Sequence, residues 1–141
     1  MDSYLAHYSG IRAYMTEVVE RAKEKGYAET LFGRRRYLPE LKASNYNLRS
    51  FGERVAMNMP VQGTAADIIK LAMIRVAKRL AEELPEARLL LQVHDELIAE
   101  CPEGMAERAA AILTEEMQGA VTLAVPLTAE AHFAHNWYDA K

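Results

Sequence analysis

Apolar residues recur at three- and four-residue spacing early in the chain, at Tyr4, Leu5, Tyr8, Ile11, Met15, Val18, Val19 and Ala22. That spacing predicts an amphipathic helix whose stripe faces a core. Asp2 or Ser3 is placed to cap it, Ser9-Gly10 to divide it, and Gly26 to stop it. Two short strands are expected next, over 27–31 and 36–38, around a turn for which Gly33 supplies positive φ. Pro39 ends the second of them, and 39–49 shows no period and reads as loop. A short helix over 50–58 turns Phe51 and Val55 inward, and Pro60 argues against its continuation. Thr64 opens the longest helix, with Asp67 three residues on as a variant capping box. Ile69, Met73, Val76, Leu80 and Leu84 run down one face of it, and Pro85 closes it.

The run from Leu89 to Ala99 then reads as two strands meeting at an acidic dipeptide, Asp95-Glu96. Leu89, Leu91 and Val93 alternate onto one face of the first strand, and Leu97, Ala99 and Cys101 return beneath them. So few polar residues separate the runs that a tight hairpin within 88–101 is expected, although no Asn-Gly or Asp-Gly marks the turn. Its carboxylates are either solvated turn residues or a tip selected for chemistry. After Pro102 a further helix buries Met105, Ala109, Ile112, Leu113 and Met117 and stops at Gly119. Alternation over 123–133 predicts a last strand, with Pro126 at an edge or bulge. Helices and strands mix without regular βαβ order, so the fold class expected is α+β, helices packed on a small antiparallel sheet.

With 141 residues, half of them hydrophobic and about a quarter charged, the chain is expected to form a single globular domain over 1–141. Its net charge of −3 argues against a general nucleic-acid binder. The distribution changes that picture. Residues 21–54 hold nine Lys and Arg against four Glu, a local balance of +5 that leaves −8 for the rest. A basic segment in an acidic chain is either a solvated surface or a contact for a polyanion. Cys101 is the sole cysteine, which excludes an intrachain disulfide and implies a reducing compartment. No charged-then-apolar leader follows Met1-Asp2, and no run approaches eighteen apolar residues, so a cytoplasmic chain without a membrane partner is expected.

Four motifs carry a resemblance. Gln92-Val93-His94-Asp95-Glu96-Leu97 resembles the carboxylate-bearing hairpin in the palm of the bacterial DNA polymerase I family, the family A polymerases. The run from Glu53 to Asp67 (ERVAMNMPVQGTAAD) is similar to the segment that precedes that hairpin in the family. Thr30-Leu31-Phe32-Gly33-Arg34-Arg35-Arg36 and the terminal Asn136-Trp137 fit in the same order. The family's other catalytic Asp, and its nucleotide-binding helix with Lys and Tyr, lie upstream of this stretch. The resemblance therefore implies a partial palm: the C-terminal part of a DNA-directed DNA polymerase, active in template-directed nucleotidyl transfer only together with an upstream portion. The alternative is a non-catalytic DNA-binding or assembly module that retains the palm's minor-groove residues.

The implied reaction uses two hard cations about 4 Å apart, and Mg2+ takes oxygen ligands. By the resemblance Asp95 is the shared catalytic metal ligand. Glu96 is a weaker ligand or one step removed from the ions, because adjacent strand residues face opposite ways. Asp2, Asp67 and Asp139 are unpersuasive partners, so the Mg2+ site would be completed by a carboxylate outside this chain. Arg54, Asn58, Gln62 and His94 match family residues that reach the DNA minor groove near the primer terminus. Donors there meet the acceptors shared by all four base pairs, purine N3 and pyrimidine O2. Read without the family, Arg54 is an ion-pair partner for Glu53 or another carboxylate, Gln62 a local loop contact, and His94 a turn histidine bonded to the backbone. Arg34 and Arg36 are expected at DNA phosphates, with Arg35 turned away from them. His132 and Ala134 stand where the family often has glycine. Implied partners are primer-template DNA, dNTP and the upstream polymerase portion, and an exposed sheet edge implies self-association of the isolated chain.

Overall fold

The computed structural model describes residues 8–140 and groups the chain into two compact units, Met1–Thr64 and Ala65–Lys141. The architecture is α+β, as expected: helices with two separate two-stranded antiparallel ladders. The expected caps at Asp2 and Ser3 lie outside the described residues.

In the first unit, helix α1 (Ser9–Lys25) ends where Gly26 takes the left-handed conformation (φ 80°) and donates its N–H to the Ala22 carbonyl at 2.8 Å. Strands β1 (Tyr27–Glu29) and β2 (Arg35–Tyr37) pair in the register Tyr27↔Tyr37, Ala28↔Arg36, Glu29↔Arg35. The Thr30 hydroxyl accepts the Arg34 N–H at 3.2 Å within their turn. The stretch read as loop contains a 3-10 turn, Pro39–Lys42, and the start of helix α2 (Tyr46–Asn58). Asn45 caps α2, its side-chain oxygen accepting from the N–H groups of Asn47 (2.9 Å) and Leu48 (3.2 Å).

Val19, Ala22, Ala28, Leu38, Leu41 and Ala56 form this unit's core. The Tyr and aliphatic stripe expected over 4–22 is therefore only partly core: Tyr8 and Ile11 are exposed, as is Phe51 on α2, while Tyr4 and Leu5 lie outside the described residues. Small residues at Ala22, Ala28 and Ala56 face the packing instead, which lets backbones approach closely. Lys23 ties α1 to α2 through Glu53 at 3.1 Å, and this bond holds its ammonium above the ordinary lysine range.

Pro60 does not end the helical path, contrary to expectation. Proline removes one backbone donor and its ring crowds the carbonyl four residues back. The chain absorbs both effects by widening into a π turn, Met59–Gly63, which runs directly into helix α3 (Thr64–Glu83). Thr64 consequently has no free helix start to cap. Its hydroxyl accepts the Leu31 N–H at 2.9 Å and donates to the Pro60 carbonyl.

In the second unit, Val76, Leu80 and Leu84 of α3 and its C-terminal end meet Ala109 and Ile112 of helix α4 (Ala106–Gln118), with Ala87. Val76, Leu80 and Ile112 are almost fully buried, each stabilising by about 1.5–3 kcal/mol relative to exposure. Strands β3 (Arg88–Val93) and β4 (Glu96–Glu100) rest on this core through Leu89, Leu97, Ala99 and Cys101. The return of Leu97, Ala99 and Cys101 is as expected. Leu91 is not where alternation placed it, because the register shifts between Leu89 and Leu91, and Leu91 is exposed. The strand expected over 123–133 does not form. A strand exists only against a ladder partner, among the described residues β3 and β4 pair with each other alone, and Pro126 lacks a donor. This segment is held by Gln118, whose amide donates to the Ala129 carbonyl at 3.0 Å.

Charged groups join α3 to α4. Arg79 bridges Glu83 (2.7 Å), Glu115 (2.5 Å) and Glu116 (3.1 Å), Arg75 reaches Glu116 at 2.7 Å, and Arg108 pairs with Glu83. Hydrogen bonds from Arg79, then Arg108, lower the Glu83 carboxyl below its ordinary value of 4.5, and Arg75 does the same first for Glu116. A carboxyl depressed in the folded state stabilises it above the unfolded pKa and loses that contribution as pH falls through the folded one. Thermal stability of the chain should therefore decline as pH is lowered below about 4.5. Thermal melts at stepped pH check this, and Glu83→Gln with Glu116→Gln should flatten the decline.

Candidate active-site hairpin and nucleic-acid interface

The β3–β4 pair runs Arg88↔Glu100, Leu89↔Ala99, Leu91↔Ile98, Gln92↔Leu97 and Val93↔Glu96. Two residues, His94 and Asp95, therefore make the whole connection. His94 has φ 52°, a single positive value among the described non-glycine residues. Histidine tolerates that region better than most side chains. The Gln92 amide donates to the His94 carbonyl at 2.5 Å and braces the turn. The backbone bond of this histidine runs through its carbonyl rather than its ring.

This turn places the two carboxylates. Asp95 lies in the turn and Glu96 is the first residue of β4, both exposed. The rule that neighbouring strand residues face opposite ways does not govern the pair, because Asp95 is not in a strand. Among the described residues neither carboxylate has a salt bridge or a side-chain hydrogen bond. No three His, Cys, Asp or Glu side chains gather as a metal site among them either. Asp139 accepts from the Asn136 amide at 2.5 Å in a terminal turn, and Asp67 sits half-buried in the first turn of α3.

In the first unit, Arg54, Asn58 and Gln62 stand four residues apart along the helical path through α2 and the π turn, and all three are exposed. Residues four apart share a helix face. Arg54 Nη1 donates to the Ser50 hydroxyl at 3.0 Å, not to a carboxylate, and Glu53 pairs with Lys23 instead. Gln62 makes no loop contact beside Gly63 among the described residues.

The three arginines of the β1–β2 hairpin differ. Arg35 is held by Glu29 (3.3 Å) and lies over the Tyr27 ring, 4.6 Å from its centroid. Tyr27, followed by the bond to Glu29, raises its pKa. Arg36 is exposed on β2. Arg34 is exposed as well, but its Nη2 donates to the Gly63 carbonyl at 2.9 Å. Sequence reading did not foresee this tie. Arginine beside a turn glycine carries no local signal of a carbonyl 29 residues away.

The profile of DNA polymerase family A matches residues 1–139. The chain belongs to DNA polymerase family A. It is similar to DNA polymerase I of Geobacillus stearothermophilus, with 54% identity over 141 residues, all of this chain and 16% of that protein. DNA polymerase I of Mycobacterium bovis is 50% identical over 137 residues, 97% of this chain and 15% of that one. Among solved structures, the POL domain of Pol1 from M. smegmatis, in complex with DNA primer-template and dNTP, matches with a TM-score of 0.94 and 44% identity. That match covers 99% of this chain and 25% of the other. The chain thus spans about a sixth of the length of the curated relatives it matches.

Proposed function

We propose that this chain is the C-terminal palm portion of a DNA-directed DNA polymerase of replication and repair, contributing to template-directed nucleotidyl transfer by a two-metal mechanism. The observation that carries this reading is the hairpin tip, where Asp95 and Glu96 stand adjacent and exposed in a family A chain. The reading of 1–141 as one palm domain, completed by an upstream portion with a further carboxylate, belongs to the same proposal. The sole cysteine, Cys101, fits a cytoplasmic protein. No helix among the described residues is long and apolar enough to cross a membrane.

Carboxylate oxygens are the donors Mg2+ prefers, so the tip fits part of such a site. Asp95 would serve as the shared ligand and Glu96 as the weaker one. When bound, the ions supply activation of the primer 3′-hydroxyl and stabilisation of the leaving diphosphate. The two-residue turn presents Asp95 beyond the ladder, while the core beneath Leu89, Leu97 and Ala99 fixes the hairpin that carries it. Arg54, Asn58, Gln62 and His94 offer donors to the minor-groove edge of primer-template DNA, and Arg36 offers charge to phosphates. The M. smegmatis polymerase domain holds primer-template DNA and dNTP, and the same ligands are assigned to the protein that contains this chain.

In the complete polymerase, Arg54→Ala, Asn58→Ala and Gln62→Ala should each slow extension for all four nucleotides. The expected loss is about 2- to 10-fold, the worth of one hydrogen bond. Each should also change discrimination against mismatched primer termini, because the acceptor pattern they read is shared. Single-nucleotide extension against each template base measures this. A loss confined to one template base, or normal extension in all three variants, removes the assignment. A DNA-binding module without the reaction would instead bind primer-template while the complete protein added no nucleotide.

A further inference from the structure

The β1–β2 turn grips the π turn at residues that bracket Gln62. Arg34 Nη2 donates to the Gly63 carbonyl at 2.9 Å, and the Leu31 N–H donates to the Thr64 hydroxyl at 2.9 Å. The Thr64 hydroxyl in turn donates to the Pro60 carbonyl. Thr30, only 4% exposed, packs its methyl against Gly63 so closely that a Cβ there would stand 2.7 Å from it. Residues 63 and 64 are thus held from outside the helical path, and Pro60 through the Thr64 hydroxyl, while Gln62 itself is exposed.

A π turn needs such support. It is rare and occurs as single turns, and Pro60 cannot donate a backbone bond within it. The direction in which Gln62 leaves the backbone is therefore set by contacts with the hairpin as much as by local geometry. We propose that Arg34 and Thr64 are positioning residues for Gln62. Arg34 then serves primer-template DNA through Gln62 and not by touching a phosphate. The proposal rests on the reading of Gln62 as a minor-groove contact.

The test uses the complete polymerase and two readouts: discrimination against a mismatched primer terminus, and the salt dependence of primer-template binding. Thr64→Val keeps the shape and removes the hydroxyl, and Thr64→Ser restores it. Arg34→Lys keeps the charge and loses the planar fork. Thr64→Val and Arg34→Lys should each shift discrimination in the direction of Gln62→Ala, by about 2- to 10-fold, with Thr64→Ser near normal. Combined with Gln62→Ala, either should add nothing, since residues acting through one group are not additive. Arg34→Ala should leave the slope of log Kd against log salt unchanged.

Effects that multiply in the double variants overturn the proposal. So does a salt slope reduced by about 0.9 in Arg34→Ala, the mark of one lost phosphate contact. Should Thr64→Val fail to fold, the Arg34→Lys cycle with Gln62→Ala decides alone. If Gln62→Ala leaves discrimination unchanged, the reading of Gln62 falls and the proposal with it. If Gln62→Ala acts and the hairpin variants do not, only the proposal falls.

Discussion

Asp95→Ala is expected to abolish nucleotide addition by the complete polymerase, by about a thousandfold or more, while primer-template binding stays within severalfold of normal. A thousandfold corresponds to about 4 kcal/mol of barrier, the scale expected when an essential ligand to a catalytic ion is removed. DNA affinity comes mostly from phosphate contacts, and Asp95 supplies none. The substitution should also leave the fold intact. Asp95 is exposed in the turn, and the hairpin is anchored elsewhere, by Leu89, Leu97, Ala99 and Cys101. Exposed positions of this kind usually change stability by less than about 0.5 kcal/mol. Glu96→Ala should lose less than Asp95→Ala. Pre-steady-state extension beside a binding titration measures both effects, and an Asp95→Ala enzyme retaining a tenth of the normal rate would exclude Asp95 as an essential ligand.

Much of the fold is legible because its causes are local. Gly26 stops α1 through its own left-handed backbone, and the alternation from Leu97 to Cys101 matches the face that β4 buries. What was illegible depends on distant partners. Pro60 reads as a helix breaker, yet the path continues because Leu31 and Arg34 supply bonds to Thr64 and Gly63 that no window around Pro60 contains. Thr64 does open the longest helix, but its pattern with Asp67 reads as a cap only where the first turn has free N–H groups, and the π turn runs straight into it. The segment over 123–133 alternates like a strand but has no ladder beside it among the described residues. A bulge shifts Leu91 off the expected face without any change in the apolar pattern.

The candidate site divides in the same way. Periodicity alone left Asp95 and Glu96 as either a solvated turn or a chemical tip, and the family resemblance, not the pattern, favoured chemistry. The structure adds that Asp95 leaves the ladder before Glu96 enters it. Arg54, Asn58 and Gln62 were grouped by the family resemblance alone, and the structure adds that all three are exposed along the path through α2 and the π turn. The bond that ties Arg34 to the π turn was not legible, since it depends on the Gly63 carbonyl.

The chain by itself should show no template-dependent extension, bind Mg2+ only weakly at the hairpin, and self-associate. Asp95 and Glu96 are adjacent on one tip, and no third carboxylate, His or Cys joins them among the described residues. Mg2+ dehydrates reluctantly and is held firmly only where carboxylates and substrate phosphates converge, so two exposed side chains give little affinity. Self-association has a separate cause. Among the described residues β3 and β4 pair only with each other, which leaves an unpaired strand edge on either side. Leu90 (49% exposed), Leu91 (51%) and, on α3, Ile74 (68%) add apolar surface in the same unit. Unpaired edges and exposed apolar groups recruit partners, and in a purified sample the partner at hand is a second copy. Light scattering over a concentration series, run beside primer extension with and without the upstream polymerase portion, separates the claims. A monodisperse monomer at every concentration would remove the exposed-edge argument. Extension by the pure chain would show that the hairpin carries a complete site, whereas extension only after the upstream portion is added would support a site shared between them.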